Sequence, residues 1–217
     1  MNEEKKIFCI SFQRTGTTSV GKFFRDFGFK WAGWPADRDN KWSHSWLIGD
    51  YESIFNSDAF KSTNAYEDSP WWLPDFYKIL YHRFPNSKFI LLSRNLDRWF
   101  QSMINHSKGN VLGDMKIHCK VYRRELEYYD LVNSGIINEK TEYEIHAEKP
   151  MKLIDYAEHY KEIYRLHQIE VIDFFEKVSP NSLFVGRLED PLKWTKMGHF
   201  LNIEVPADYD SVENISK

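Results

Sequence analysis

Ile7-Phe8-Cys9-Ile10-Ser11-Phe12 is a near-continuous apolar run of strand length, the pattern of a parallel strand covered on both faces. It runs into Gln13-Arg14-Thr15-Gly16-Thr17-Thr18, after which Val20, Phe23, Phe24 and Phe27 recur at helical spacing until Gly28. The spacing predicts strand, tight turn and helix in immediate succession. Lys88–Ser93 is the next clear strand, Asn64–Glu67 a short one closed by Asp68-Ser69-Pro70, and Leu183–Gly186 the last. Helices are predicted from Trp72 through Leu80 to Pro85, from Arg98 to about His106 with Asp97 as its cap, and from Lys116 to Leu131. Two more are predicted over Met151–Val178 and around Trp194, Met197 and Leu201.

Strands alternating with helices place the chain in the α/β class, as a parallel sheet flanked by helices. Two stretches break the alternation. Lys30–Lys61 scatters Trp31, Trp34, Trp42 and Trp46 among charged residues and reads as a lid-like connection with a short helix near Tyr51–Phe55. Asn110–Lys149 is polar and Tyr-rich, and no Gly/Pro linker sets it apart. It reads as a mainly helical insertion over the site, so residues 1–217 are expected to form one domain.

Composition narrows the function. With 217 residues, 42% of them hydrophobic and 17% aromatic, the chain can bury a large core and line a pocket with rings. Lys and Arg number 29 against 32 Asp and Glu, so no global positive field is present to hold a nucleic acid or an anionic membrane, and any anion site must be local. Two cysteines, Cys9 and Cys119, are too few for a disulfide framework and point to a reducing compartment. The apolar run near the N-terminus is too short for a secretion signal, and no window reaches the roughly 20 apolar residues of a membrane span. A soluble, cytoplasmic protein acting on a small molecule is expected.

The turn after the first strand carries the chemistry. Backbone N–H groups and the positive end of the following helix dipole converge above the carboxyl end of such a strand, where anions bind. The GxxxxGK[ST] pattern of ATP and GTP sites is absent, because the loop is short and its cation, Arg14, precedes its glycine, Gly16. Thr15, Thr17 and Thr18 add hydroxyls suited to a tetrahedral anion; a helix capped for stability alone is the alternative.

At this point the sequence resembles the sulfotransferases that use 3'-phosphoadenosine 5'-phosphosulfate. Gln13-Arg14-Thr15-Gly16-Thr17-Thr18-Ser19 is similar to an Arg-Thr-Gly-Thr-Thr-Ser variant of their first signature, a strand followed by Pro-Lys-Ser-Gly-Thr-Thr. Phe89–Arg94 followed by Ser102, eight residues beyond Arg94, resembles their second. Asp68-Ser69-Pro70, and Phe184–Pro191 with Trp194 and Phe200-Leu201, also fit. The chain departs from the family in having Arg14 for the usual lysine and in lacking an Arg-Lys-Gly segment near the C-terminus, which in cytosolic members helps hold the 3'-phosphate.

The resemblance implies a P-loop-like fold and in-line transfer of a sulfuryl group to a hydroxyl or amine on a small or carbohydrate-like acceptor, with no metal. It assigns Arg14, Thr15, Gly16, Thr17, Thr18 and Ser19 to the 5'-phosphosulfate, Arg14 also to charge developing on the reacting oxygens, and Arg94 with Ser102 to the 3'-phosphate. Asp68 stands two residues before Pro70, near the place of the family's catalytic histidine, and is the first candidate base; an Asx cap of the next helix is its alternative role. His44, in the connection where some members carry an acidic base, is the second. His167, Trp71, Trp72, Trp34 and Phe12 could face the site but as readily belong to the core. A kinase or a non-catalytic nucleotide-binding module on the same scaffold are the competing functions.

Overall fold

The computed structural model describes residues 5–137 and 150–211, so residues 138–149 of the expected insertion lie outside the described residues. Two compact units emerge, residues 1–94 with 167–215, and residues 95–166.

The first unit is built on a five-stranded, all-parallel sheet. Its strands are β1 (Ile7–Cys9), β2 (Trp31–Ala32), β3 (Ala65–Tyr66), β4 (Lys88–Ser93) and β5 (Leu183–Arg187), in the spatial order β2-β3-β1-β4-β5. Successive residues of β1 supply opposite faces, as a period of two requires. Ile7 and Cys9 join Val20, Phe23 and Phe24 of helix α1 (Thr17–Asp26) in one buried cluster with Ile90, Leu92 and Trp194. Phe8, between them, stacks with Tyr66, Phe89 and Trp71. With both faces covered, the run could not alternate polar and apolar residues, which is why it read as continuous.

The ladder assigned to β1 stops at Cys9, short of the expected Phe12, because the backbone peels away toward the turn. Side chains continue the attachment. The Ser11 hydroxyl accepts from the amide of Leu92 at 2.7 Å and lies 3.2 Å from the carbonyl of Ile90, tying the departing segment to β4.

The connection from Lys30 to Lys61 is more ordered than its sequence suggested. It contains β2 and four short helices, α2 (Trp34–Asn40), α3 (Trp42–Ile48), α4 (Tyr51–Asn56) and α5 (Asp58–Lys61). Helix α6 spans Phe76–Arg83 and starts later than expected, because the preceding turn takes Trp71, Trp72 and Leu73 into the core. The chain closes with helix α11 (Lys193–Leu201), named after the long helix α10 (Ala157–Val178).

The second unit contains α7 (Leu96–Ser107), α8 (Met115–Val121), α9 (Glu125–Asn133) and the first ten residues of α10. Asn95, not Asp97, caps α7, its side-chain oxygen accepting from the amides of Asp97 and Arg98. The single helix expected from Lys116 to Leu131 is two, broken where Arg123 turns left-handed at φ 55°. A buried polar cluster organises the unit: Arg124 forks onto Glu127, donates to the Tyr160 hydroxyl at 2.8 Å, and that hydroxyl lies 2.7 Å from His118 Nε2. Cys119 packs beside it, against Met151. No helix among the described residues is long and apolar enough to cross a membrane.

At the amino end of the sheet a buried lysine closes the first unit. Lys6 Nζ donates to the carbonyls of Phe60 (3.2 Å) and Thr63 (2.8 Å) and to the Tyr66 hydroxyl (2.8 Å), while lying 4.3 Å from the centre of the Phe60 ring. Replacing it as Lys6→Met keeps the apolar stem and deletes the donors, leaving buried oxygens with less to accept. Urea denaturation is expected to show a loss of about 1–3 kcal/mol relative to wild type; an unchanged midpoint would show that the ammonium contributes nothing net.

Candidate active site

Three loops leave the carboxyl ends of β1, β3 and β4, where the sheet order reverses around the central strand, and they carry Arg14, Asp68 and Arg94. Ligands bind at such a switch point because connections to either side leave a crevice there.

The turn from β1 into α1 holds two residues in the left-handed region, Arg14 at φ 66° and Gly16 at φ 94°. For Arg14 that conformation is strained and must be held by its surroundings. One such hold is visible: Arg94 Nη1 donates to the carbonyl of Arg14 at 3.3 Å. Gly16 is the N-cap of α1, whose first turn has no side-chain cap and no acidic residue. The amides of an uncapped helix start and an arginine on either side of the turn form a positively polarised concavity.

Burial lowers the pKa of the half-buried Arg14, and the like charge of Arg94 lowers it further, while Asp68 acts in the opposite direction. An anion beside Arg14 would offset the like charge of Arg94.

The hydroxyls predicted to line the turn divide. The Thr15 side chain is buried and donates back to the carbonyl of Phe12 at 2.5 Å, so its hydroxyl braces the loop and its amide is what remains for a ligand. Thr17 and Ser19 are also buried, and Thr18 is half-buried. The carbonyl of Ser19 accepts from Ser211 at 2.8 Å, fastening the C-terminal segment to α1. Ser102 is buried on α7 of the second unit. Asp97, near the start of α7, is engaged by Lys161 at 2.7 Å.

Asp68 sits at φ 67° directly after β3, and its Oδ1 accepts from the Ser69 amide at 2.8 Å. That bond is local, so the carboxyl is not a cap of α6, which begins at Phe76. Burial raises its pKa; the Ser69 amide and hydroxyl, the Trp72 indole and Arg14 pull it back. Glu67, the residue before Asp68, places its carboxyl in a slot beside Trp31 left by the missing side chains of Gly21 and Gly33. A Cβ on Gly33 would come within 2.3 Å of Glu67 Oε1.

Asp68 itself acts on a second carboxylate, Asp37, in the first turn of α2. Asp37 is buried, accepts from the Ser43 amide and hydroxyl at 2.6 Å each, and has its pKa raised to about 6, chiefly by burial and further by the charge of Asp68. Sequence reasoning missed it. The only signal was an acid in the first turn of a helix opened by Pro35, and helix capping explains that pattern equally well.

The other candidates sort into exposed and structural groups. His44 is exposed on α3. His167 is buried, its Nε2 lies 3.0 Å from the carbonyl of Ile10, and its ring stacks on Phe12 at 4.2 Å. Burial lowers its pKa to about 4, so it is neutral at pH 7 and braces the end of β1. Trp71 is wholly inside a ring cluster with Trp42, Phe60 and Tyr66, Trp72 packs edge-on against Phe12, and Trp34 is 45% exposed with Arg38 above its ring. Cys9 lies under the site with its thiol pushed up to about 12, mainly by burial.

Comparison with known proteins adds the family. A family model described as a sulfotransferase domain matches residues 6–214. Among solved structures, the chain superposes on the crystal structure of a sulfotransferase from Alicyclobacillus acidocaldarius with a TM-score of 0.50 at 14% identity, covering 97% of this chain and 86% of that one. At that identity the likeness is one of fold. No curated protein matches.

Asp37 makes stability depend on pH in a defined direction. Its carboxyl ionises near 6 in the fold and near 3.8 ordinarily, so the native state holds the proton more tightly and stability falls as pH rises through that window. Asp37→Asn removes the ionisation and keeps an oxygen for the Ser43 amide. Relative to wild type it is expected to gain stability between pH 4 and pH 7, by up to about 3 kcal/mol. Urea melts at both pH values test this, and a difference independent of pH refutes the burial cost.

Proposed function

Because the chain belongs to the sulfotransferase domain family, we propose that it moves a sulfuryl group from 3'-phosphoadenosine 5'-phosphosulfate to a hydroxyl or amine of a small or carbohydrate-like acceptor. The observation that carries this reading is the meeting of Arg14 and Arg94 at the uncapped start of α1. Two arginines beside a helix start without a side-chain cap suit a ligand with separated anionic groups, and an adenosine carrying 5'-phosphosulfate and 3'-phosphate has that form.

The donor, when bound, supplies an activated sulfuryl group on a phosphate that leaves already ionised. The protein's part is then positioning and charge. The amides from Thr15 to Ser19 cradle the 5' anion, and Arg14 neutralises charge that grows on the reacting oxygens. Its planar fork holds two oxygens at once, where a lysine would present a point charge. Arg94 takes the 3'-phosphate. Arginine at both positions lets the chain neutralise the departing charge with its own side chains, so no metal is assigned.

Asp68 is assigned as the base that accepts the acceptor's proton. Burial makes its carboxylate a stronger proton acceptor than a solvated one, and Arg14 acts in the opposite direction. His44, exposed on α3, is left without a role. The matched span runs through both units, which supports treating the chain as one sulfotransferase-like domain, and two buried thiols without a disulfide fit a cytoplasmic setting.

Thermal shift tests the donor. Adenosine 3',5'-bisphosphate is expected to raise the melting temperature with or without Mg²⁺, while ATP and GTP raise it little; stabilisation by Mg²⁺-ATP alone would make the protein a kinase. Once an acceptor is found, Arg14→Ala should lower kcat by about 10²–10³-fold, and Asp68→Asn by about 10²–10⁴-fold. Full turnover in the Asp68 variant would remove it as the base.

A further inference from the structure

Gly16 is in contact with Leu188, a residue of the Phe184–Pro191 segment that carries no assigned role in the site. A Cβ built on Gly16 would lie 2.6 Å from Leu188 Cδ1 and 3.6 Å from its Cγ and Cδ2, so the Leu188 isobutyl group is seated on the bare Cα face of the turn. Leu188 follows the last residue of β5 and is itself fixed: its amide donates to the carbonyl of Ser93 at 2.7 Å, while the Ser93 hydroxyl donates to the carbonyl of Gly186 at 3.1 Å. Ser93 ends β4, and its neighbour Arg94 is the residue that grips the carbonyl of Arg14. The turn between Arg14 and Gly16 is thus propped twice from the paired ends of β4 and β5, by a hydrogen bond at Arg14 and by an apolar contact at Gly16.

We propose that Leu188 is a positioning residue for the anion-binding turn, holding Gly16 in its left-handed conformation so that the amides of Gly16 to Ser19 stay aimed at one point. Glycine at φ 94° reaches that conformation without steric cost but also leaves it without cost. The side chain of Leu188 occupies the side on which the Cα would otherwise be free to swing. It carries no polar atom and adds no charge, so its whole contribution is to keep donors in place before the ligand arrives. The proposal rests on the reading of this turn as an anion cradle.

The experiment compares binding of pyrophosphate and of adenosine 3',5'-bisphosphate by calorimetry in wild type, Leu188→Ala, Leu188→Val and Leu188→Met, with the melting temperature of each unliganded protein. Leu188→Ala is expected to weaken both ligands by a similar factor, on the order of tenfold; Leu188→Val should lie between and Leu188→Met should restore most of the affinity. Pyrophosphate has no base or ribose, so its loss reports the turn itself. Gly16→Ala should also bind weakly, and adding Leu188→Ala to it should cost little more, since the two changes disturb the same contact. Unchanged affinity in a folded Leu188→Ala or Leu188→Val, additive losses in the double variant, or weakening confined to the nucleotide would each overturn the proposal, the last by making Leu188 a direct contact of the nucleoside. Failure of wild type to bind either ligand would instead remove the anion cradle and the proposed function along with it.

Discussion

Repulsion between Arg14 and Arg94 is the constraint on which the rest of the structure turns. Burial and the like charge of Arg94 both disfavour the charged form of Arg14, and the chain nevertheless fixes the turn through a hydrogen bond from the Arg94 side chain to the Arg14 carbonyl. Asp68 offsets part of that repulsion from the end of β3. On the proposed reading, the scaffold supplies this positive character in advance, so that binding would require little rearrangement.

Such a site needs a stiff support. β1 sits in the middle of the sheet with both faces covered, and it leaves the ladder through polar braces: Ser11 onto β4, His167 onto the carbonyl of Ile10, and the Thr15 hydroxyl onto the carbonyl of Phe12. Each brace satisfies a backbone group that the lost ladder would otherwise leave unpaired in a buried place. His167 is therefore neutral for a structural reason, and its burial opposes that of Asp37 in pH dependence, one group resisting proton uptake and the other proton release.

What could be read along the chain divides according to the physics behind each signal. β4 and α1 were legible to within a residue or two because a buried parallel strand and a helix packed on one side leave periodic marks in sequence, as in Lys88–Ser93 and in Val20, Phe23 and Phe24. The cap of α7 was misplaced by two residues because Asn95 and Asp97 have equal chemical claim to it, and only the backbone decides. β2 was missed because two residues at a sheet edge carry no period at all. In the site, Arg14, Gly16, Asp68 and Arg94 could be named from local motifs. Asp37 and Leu188 could not, since their significance lies in what the fold sets beside them, a second carboxylate in one case and the bare face of a glycine in the other. Of the tryptophans proposed to line the site, Trp71 and Trp72 lie in the core and Trp34 is exposed.

The two cysteines fall one in each compact unit, Cys9 beneath the anion-binding turn and Cys119 beside Met151, and burial pushes both thiols up to about 12. A thiolate is the species that alkylating reagents attack, so neither sulfur is available while its surroundings stay closed. The chain consequently carries a native label in each half: the rate at which each cysteine is trapped, resolved by peptide mass, reads out how often that half opens, with no engineered probe required.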